Sequence, residues 1–334
     1  MLLTYVLQRI LRIIPLFFLI SILAFVIIQL PPGDYLTEYI SRLRMSGRDV
    51  DEAEISRLEK LYALDRPMHI QYLNWITKIV TQGDFGQSFQ WGRPVNEVIG
   101  ERLALTFIIA AATTVFVWIV ALPIGIYVSV RQYTIGDYFF TLMGFVGLAV
   151  PGFLLAMVIM YFAFAWFGIR VGGLFSPEYE LEPWSLAKVQ NMLTRIWVPI
   201  VILGIGGTAN IIRVMRATML DELNKQYVTV ARAKGLSEFS VLMRYPVRIA
   251  INPLISTIGW LLPWFISGGT VVNIVLNLPT AGPVLFRALL SQDMFLAGSY
   301  ILIIGTLTLV GSLLSDILLA VVDPRIRFGG AEGT

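Results

Sequence analysis

The sequence predicts an all-α integral membrane protein with about six transmembrane helices and an ordered external loop after the first. Of its 334 residues, 57% are hydrophobic and only 14% are charged, whereas soluble domains carry about 25% charged residues. Its apolar runs are continuous and approach the length of about 20 residues that a helix needs to cross a bilayer. Strands of a membrane barrel would instead alternate in polarity over about ten residues.

Six apolar segments give the order of the predicted spans. They are Ile10–Leu30, Leu103–Val130, Tyr138–Phe167, Ile196–Ile212, Ile249–Ile274 and Phe295–Val322. The first resembles a secretory signal because Arg9 and Arg12 precede it, but its apolar run is long and no small-residue cleavage site follows. We therefore expect a retained anchor.

These spans divide the chain into four predicted parts. They are an N-terminal segment with the first span (1–30), an external loop (31–102), a transmembrane core with a cytoplasmic loop at 213–248 (103–322), and a cytoplasmic tail (323–334). Within the external loop, apolar residues at helical spacing predict short helices over 51–62 and 68–80. We expect these helices to form a small cap outside the membrane.

The distribution of basic residues predicts the orientation. Seven basic residues lie between Arg213 and Arg248, and Arg131 and the basic residues near both termini fall on the same side. The opposite short loops hold only Arg170, Lys188, Arg195 and Arg287. Because basic residues collect on the cytoplasmic side of short loops, both termini are predicted to be cytoplasmic. Membrane lipid, rather than nucleic acid, then accounts for the basic charge.

Several kinds of chemistry have no residues to support them. The chain has no cysteine and one histidine, His69, which removes thiol chemistry and a His-rich zinc site. No phosphate-binding Gly-x-x-x-x-Gly-Lys-[Ser/Thr] loop is present. An ion-coupled transporter would need ionisable residues inside the membrane, and Asp316 is the main candidate. Its place near the end of the last span favours a structural contact with the cytoplasmic interface or an adjacent helix.

The cytoplasmic loop after the fourth span predicts an elbow of two helices. Apolar residues at helical spacing predict one helix over Met219–Lys234, which ends at Gly235. Arg232 in its last turn would complement the helix dipole, and Ser237 is the expected N-cap of a second helix. Such a loop either rests on anionic lipid or docks a soluble partner.

The residues of this loop carry a family resemblance. The run from Tyr227 to Ser237 resembles the coupling loop of ATP-binding-cassette importer permeases, specifically the branch that imports dipeptides, oligopeptides and nickel. The external Gly83-Asp84 and the terminal Asp323-Pro324-Arg325 also resemble that branch. The resemblance assigns ATPase coupling to nine residues, Tyr227, Thr229, Ala231, Arg232, Ala233, Lys234, Gly235, Leu236 and Ser237.

The resemblance implies a fold, a set of partners and a function. The fold would be that of a type I importer permease in a prokaryotic inner membrane. The partners would be a second related permease, two ATPases that hold ATP and Mg²⁺, and an external solute-binding protein. The chain itself would bind no cofactor and would not be an enzyme. Its solute would be a peptide, or an oligosaccharide, because Leu278–Pro283 replaces the Pro-Gly-Leu-Gly stretch of peptide permeases.

A translocation path is predicted at the outer half of the fifth span. Prolines and a glycine pair interrupt this segment, and broken helices are tolerated where they line a cavity or pack against protein. The candidate path residues are Trp264, Ser267, Gly268, Thr270 and Asn273. The alternative is ordinary helix packing through small residues. The alternative function for the whole chain is an ion-coupled secondary transporter or a channel.

Overall fold

The computed structural model describes residues 2–29, 66–88, 90–169 and 171–322, and helices dominate them. The helices up to the fourth predicted span are α1 (Leu2–Gln29), α2 (Met68–Gln82), α3 (Val95–Val130), α4 (Ile135–Ala149), α5 (Gly152–Phe167), α6 (Pro177–Glu180) and α7 (Leu186–Arg195). The later helices are α8 (Trp197–Leu223), α9 (Gln226–Ala233), α10 (Glu238–Arg244), α11 (Pro246–Ala250), α12 (Asn252–Ser267), α13 (Thr270–Val275), α14 (Ala281–Leu290) and α15 (Met294–Val322). Strands β1 (Gln87–Ser88) and β2 (Arg93–Pro94) pair antiparallel.

The all-α membrane fold is confirmed, and four predicted spans are single long helices. Helices α1, α3, α8 and α15 are long and apolar enough to cross a bilayer. The third predicted span is instead a bent pair, α4 and α5, whose axes differ by 101°. Pro151 disfavours helical geometry at the residue before it, and Val150 is accordingly extended, with φ −85° and ψ 121°.

The fifth predicted span, Ile249–Ile274, is also not one helix. It is divided among α11, α12 and α13, and the longest of these, α12, has 16 residues. That is shorter than the run of about 20 residues that crosses a bilayer. The breaks occur where Pro253 begins α12 and where Gly268 and Gly269 separate α12 from α13. The described residues therefore hold four long spans, or five with the bent pair.

Small residues allow the long helices to approach closely. A Cβ added at Gly125 of α3 would lie 2.8 Å from the side chain of Met215 on α8. A Cβ at Gly259 of α12 would lie 2.8 Å from the backbone of Gly311 on α15. The Ser315 hydroxyl reinforces the second contact by donating to the Ile255 carbonyl at 2.8 Å. Close packing through small residues is the usual device for joining helices in lipid.

The external part of the chain is ordered where it is described. The predicted helix at 68–80 is confirmed as α2, and its Trp75 and Ile76 pack against Phe25 of α1 and Leu302 of α15. The Tyr72 and Ser21 hydroxyls lie 2.7 Å apart. The predicted helix at 51–62 and the tail at 323–334 lie outside the described residues.

Candidate functional site: the cytoplasmic elbow and the transmembrane cleft

The predicted elbow exists, but its first helix has different bounds. The transmembrane helix α8 continues to Leu223, so residues 219–223 do not belong to the elbow. The chain then breaks at Asn224 and Lys225, where Lys225 is extended with ψ 146°. The Asn224 amide donates to the Leu220 carbonyl at 3.0 Å. A short polar side chain that bonds the backbone in this way competes with helix continuation, and the single helix predicted over Met219–Lys234 is therefore wrong.

The turn between the two elbow helices has the predicted geometry. Gly235 follows α9 and Lys234 with φ +76°, the left-handed conformation that glycine adopts without strain. Its N–H donates to the Arg232 carbonyl at 2.9 Å. Ser237 begins the next helix, α10, by accepting the Ser240 N–H at 3.4 Å. These are the two local features that the sequence predicted for the turn.

Arg232 has a second role besides its predicted place in the last turn of the helix. Its guanidinium Nε lies 2.8 Å from Glu238 Oε1, so the residue bridges the turn as well as standing in the last turn of α9. Both side chains are more than 40% exposed. An exposed pair of this kind contributes about 0.2–1 kcal/mol, so it orients the turn more than it stabilises it.

The elbow has a small apolar core of its own. Val228 and Ala231 from α9 are buried against Val241 from α10. The Tyr227 and Tyr245 rings pack beside them with centroids 5.9 Å apart, and the Tyr227 hydroxyl hydrogen-bonds the Glu222 carboxylate. Two helices of eight and seven residues are thus held at a fixed angle beneath α8.

The outer face of the elbow is exposed and partly apolar. Six of the nine residues assigned to coupling are exposed, namely Thr229, Arg232, Ala233, Lys234, Gly235 and Ser237, whereas Tyr227 and Leu236 are half-buried and Ala231 is buried. Val230 and Phe239 are exposed beside them, at 52% and 74% of their surface. Phe239 was missed from the sequence because it lies outside the motif. Single exposed apolar side chains are common on protein surfaces, so the case for this face as a binding surface depends on the coupling motif.

The predicted path residues do not all face one space. A cleft of about 300 Å³ lies between α3, α8 and α12, and Trp264 is the only one of the five that lines it. Ser267 and Gly268 are exposed beyond it. The Thr270 hydroxyl donates to the Ile266 carbonyl at 2.6 Å, and Asn273 is only 3% exposed. Polar groups in the cleft that sequence reasoning missed include Thr113, Thr114, Asn210 and Thr257.

A buried carboxylate fixes the start of the last span, α15. Asp293 accepts a hydrogen bond from the Ser88 hydroxyl at 2.6 Å and one from the Gln90 N–H at 3.1 Å. Its other oxygen accepts the Leu296 N–H at 3.2 Å, in the manner of an N-cap for α15. Beside this junction, hydrogen bonds from Arg93 to Glu97 and Glu101 raise the pKa of the Arg93 guanidinium.

Two further ion pairs join long helices, one between α1 and α15 and one between α4 and α8. Asp316 on α15 lies 3.2 Å from Arg9 on α1, which is the helix-to-helix contact expected of it. Asp137 at the start of α4 is 3% exposed and lies 2.9 Å from Arg216 on α8. The second pair was not predicted, because its members are 79 residues apart and neither belongs to a motif. Among the described residues, no group of three metal-ligating side chains occurs.

The comparisons with known proteins cover nearly the whole chain. Residues 121–328 match the family described as binding-protein-dependent transport system inner membrane component, and residues 2–110 match its N-terminal domain. The oligopeptide transport system permease AppB of Bacillus subtilis is 32% identical over 97% of this chain and 99% of its own length.

Two further relatives have the same full-length coverage. The oligopeptide permease OppB of Haemophilus influenzae is 27% identical over 98% of this chain, and the glutathione permease GsiC of Salmonella typhimurium is 28% identical over 98%. The chain is a permease subunit of an ABC importer and not an enzyme, and ATP hydrolysis belongs to partner subunits. The protein therefore belongs to the family of inner membrane components of binding-protein-dependent transport systems.

Proposed function

We propose that this permease carries peptides, and that the cleft beside Trp264 is part of their path. The observation that supports this proposal is the full-length similarity to permeases named for oligopeptides and glutathione, which extends through the external loop. The cleft combines Trp264 and Trp118 with Thr114, Asn210 and Thr257. Hydroxyl and amide groups among aromatic walls suit a solute with peptide groups and mixed side chains.

The segment Leu278–Pro283 is a weak argument for an oligosaccharide as the solute, because it is buried. In Leu278–Pro283, Leu278, Thr280 and Ala281 are each at most 4% exposed. The Ala281 N–H donates to the Thr106 hydroxyl at 2.9 Å, and a Cβ at Gly282 would lie 2.6 Å from the Ile266 carbonyl. This stretch is therefore a tightly packed connection between α13 and α14. A change there reflects internal packing more than contact with a solute.

The elbow is proposed to dock the ATPase. Its exposed outer face, Thr229, Val230, Ala233 and Phe239, would enter a cleft on that partner, and its small core would transmit the partner's movement to α8 and α11. One elbow on this chain and one on a second related permease would serve two ATPases, each with ATP and Mg²⁺. An external binding protein would deliver the solute. Basic residues at Arg131 and in the loop from Arg213 to Arg248 support an orientation with this face, and both termini, in the cytoplasm of a prokaryotic cell.

Transport by the assembled complex tests this proposal. The complex, reconstituted in vesicles with its binding protein, is expected to accumulate a radiolabelled peptide mixture only when ATP is present on the elbow side. A proton or sodium ionophore should leave the rate unchanged. Uptake that collapses with the ionophore and ignores ATP would establish ion coupling instead, although Asp316, the main ionisable candidate, is already paired with Arg9. Uptake of a labelled oligosaccharide mixture in place of peptides would overturn the solute class.

A further inference from the structure

A second cleft lies apart from the proposed path, between the first half of the bent span and α8. It has a volume of about 310 Å³ and is lined by one face of α4 and the facing side of α8. Because α4 starts just after the cytoplasmic Arg131 and α8 leads into the elbow, this cleft lies in the cytoplasmic half of the membrane. That placement rests on the orientation proposed above.

The walls of this cleft are almost entirely apolar. They are formed by Phe140, Gly144, Phe145, Leu148, Ala209, Ile212, Ala217 and Leu220. The run from Ala209 to Leu220 rises about 16 Å along α8 at 1.5 Å per residue. One leaflet of the hydrocarbon core is about 15 Å deep, half of the 30 Å thickness. The cleft is therefore about as deep as one leaflet, and its walls are as apolar as lipid.

Two arginines stand among these apolar walls. Arg216 is paired with Asp137, yet its buried Nε has no hydrogen-bond partner. Arg213 contacts the Asn210 amide oxygen at 3.2 Å, and no carboxylate among the described residues lies within ion-pair distance of it. The cleft thus has one uncompensated positive charge and one buried N–H directed at no acceptor.

The cleft opens on the surface of the described chain rather than into its interior. Leu142, Phe145 and Val146 of α4 are between 47% and 60% exposed. A Cβ added at Gly144 would meet no atom within 4 Å, so the space in front of this glycine is empty. In contrast, a Cβ at Gly147, one turn away, would meet Ile205 at 3.1 Å. The glycine at 144 therefore keeps the cleft open, whereas the one at 147 serves packing.

We propose that this cleft binds an anionic phospholipid of the cytoplasmic leaflet. Its phosphate accepts hydrogen bonds from Arg213 and from the partly exposed guanidinium of Arg216, and one acyl chain lies against Phe140, Phe145 and Ile212. Basic pockets between transmembrane helices on the cytoplasmic side are suited to anionic head groups, and each basic residue near the surface contributes about 1 kcal/mol. The lipid would hold α4 against α8 at the level of the Asp137–Arg216 pair.

Photolabelling of the assembled transporter tests the site. The probe is phosphatidylglycerol with a diazirine in one acyl chain, and a phosphatidylcholine with the same chains is the matched probe. We expect the phosphatidylglycerol label to map by mass spectrometry to 140–148 and 209–220, and phosphatidylcholine to label them weakly. Arg213→Gln should lower that labelling about fivefold, the equivalent of one lost charge. Arg131→Gln, which removes a cytoplasmic charge outside the cleft, should not.

A second pair of variants separates the cleft from the surface charge. Gly144→Leu fills the open space and should abolish labelling without lowering the thermal stability of the protein. The control is Gly100→Leu on α3, where the space is also open, and it should leave the labelling unchanged. Equal labelling in Arg213→Gln and the unaltered chain, or by both lipids, overturns the proposal. So does efficient cross-linking of Gly144→Cys to the second permease, which would make the cleft a subunit interface. Labelling needs no transport, so it is read independently of the uptake experiment.

Discussion

In the orientation proposed above, the β1–β2 hairpin lies at the outer end of this permease and the elbow at the inner end, and the two ends are held together by different kinds of contact. Outside, the fully buried Asp293 joins the strand pair β1–β2 to the start of α15 through hydrogen bonds to Ser88, Gln90 and Leu296. Inside, the elbow is closed by the exposed Arg232–Glu238 pair and a core of three buried side chains. Buried charged hydrogen bonds are costly to break and exposed pairs are not. The outer junction is therefore stable without a partner, whereas a bound partner would stabilise the elbow.

The largest effect is expected when the outer junction is broken. Asp293→Ala removes the acceptor for the Ser88 hydroxyl and two backbone N–H groups. Each polar group left unsatisfied on burial costs about 1–3 kcal/mol, so we expect a loss of about 3 kcal/mol or more. The midpoint of thermal denaturation of the detergent-purified protein measures it.

The matched control for this change is an exposed carboxylate in the same region. Asp84 accepts the Gly86 N–H at 2.9 Å but lies on the surface. Asp84→Ala should lower the free energy of unfolding by under about 1 kcal/mol. If both variants have the same midpoint of thermal denaturation, burial of Asp293 is not what stabilises the junction.

Replacing a left-handed glycine should strain the backbone equally at the two ends, but it should affect coupling only at the elbow. Gly235 in the elbow and Gly92 in the outer hairpin have φ +76° and +60°, and a Cβ at either would meet nothing within 4 Å. Valine at each position should therefore cost about 1–2 kcal/mol through conformation alone. We expect Gly235→Val to uncouple ATP hydrolysis from uptake and Gly92→Val to leave the ratio of the two rates unchanged.

Measurement of both rates in the same vesicles gives this ratio directly. Two variants with similar thermal stability but different ratios would support the elbow as the coupling element. Coupled transport in Gly235→Val at the normal ratio would remove the elbow from that role.

The smallest effect is expected at the exposed ion pair. Arg232→Gln and Glu238→Gln should each change the free energy of unfolding by about 0.2–1 kcal/mol. The double variant should be about as stable as either single variant. A double-mutant cycle on the thermal midpoint measures the interaction. An interaction energy of several kcal/mol would mean that the pair, rather than the apolar core around Val228, closes the elbow.

Local signals allowed part of the fold and of the elbow to be predicted from sequence. Hydropathy identified α1, α3, α8 and α15, because each is one continuous apolar run. The left-handed conformation of Gly235 and the N-cap role of Ser237 could be predicted, since both depend on neighbouring residues alone.

The remaining contacts could not be predicted, because they join residues that are distant in the chain. The bond from Ser88 to Asp293 spans 205 residues, and the pair Asp137–Arg216 spans 79. No spacing rule connects such residues. The break at Val150 and Pro151 did carry a signal, but a long apolar run on both sides concealed it. The cleft beside Trp264 is assembled from three helices, and periodicity within one helix cannot show which of its residues share that space.

The contact between Gly259 and Gly311 has a mechanical consequence. With their backbones touching, α12 and α15 cannot slide past each other, and α12 follows directly from the elbow through α11. Helix α15 has 29 residues and acts as a rod about 43 Å long at 1.5 Å per residue. A tilt of about 5° imposed near its inner end moves the outer end by about 4 Å, estimated from the same helical rise. Asp293 fastens the β1–β2 hairpin to that far end, so the hairpin would be displaced together with the helix.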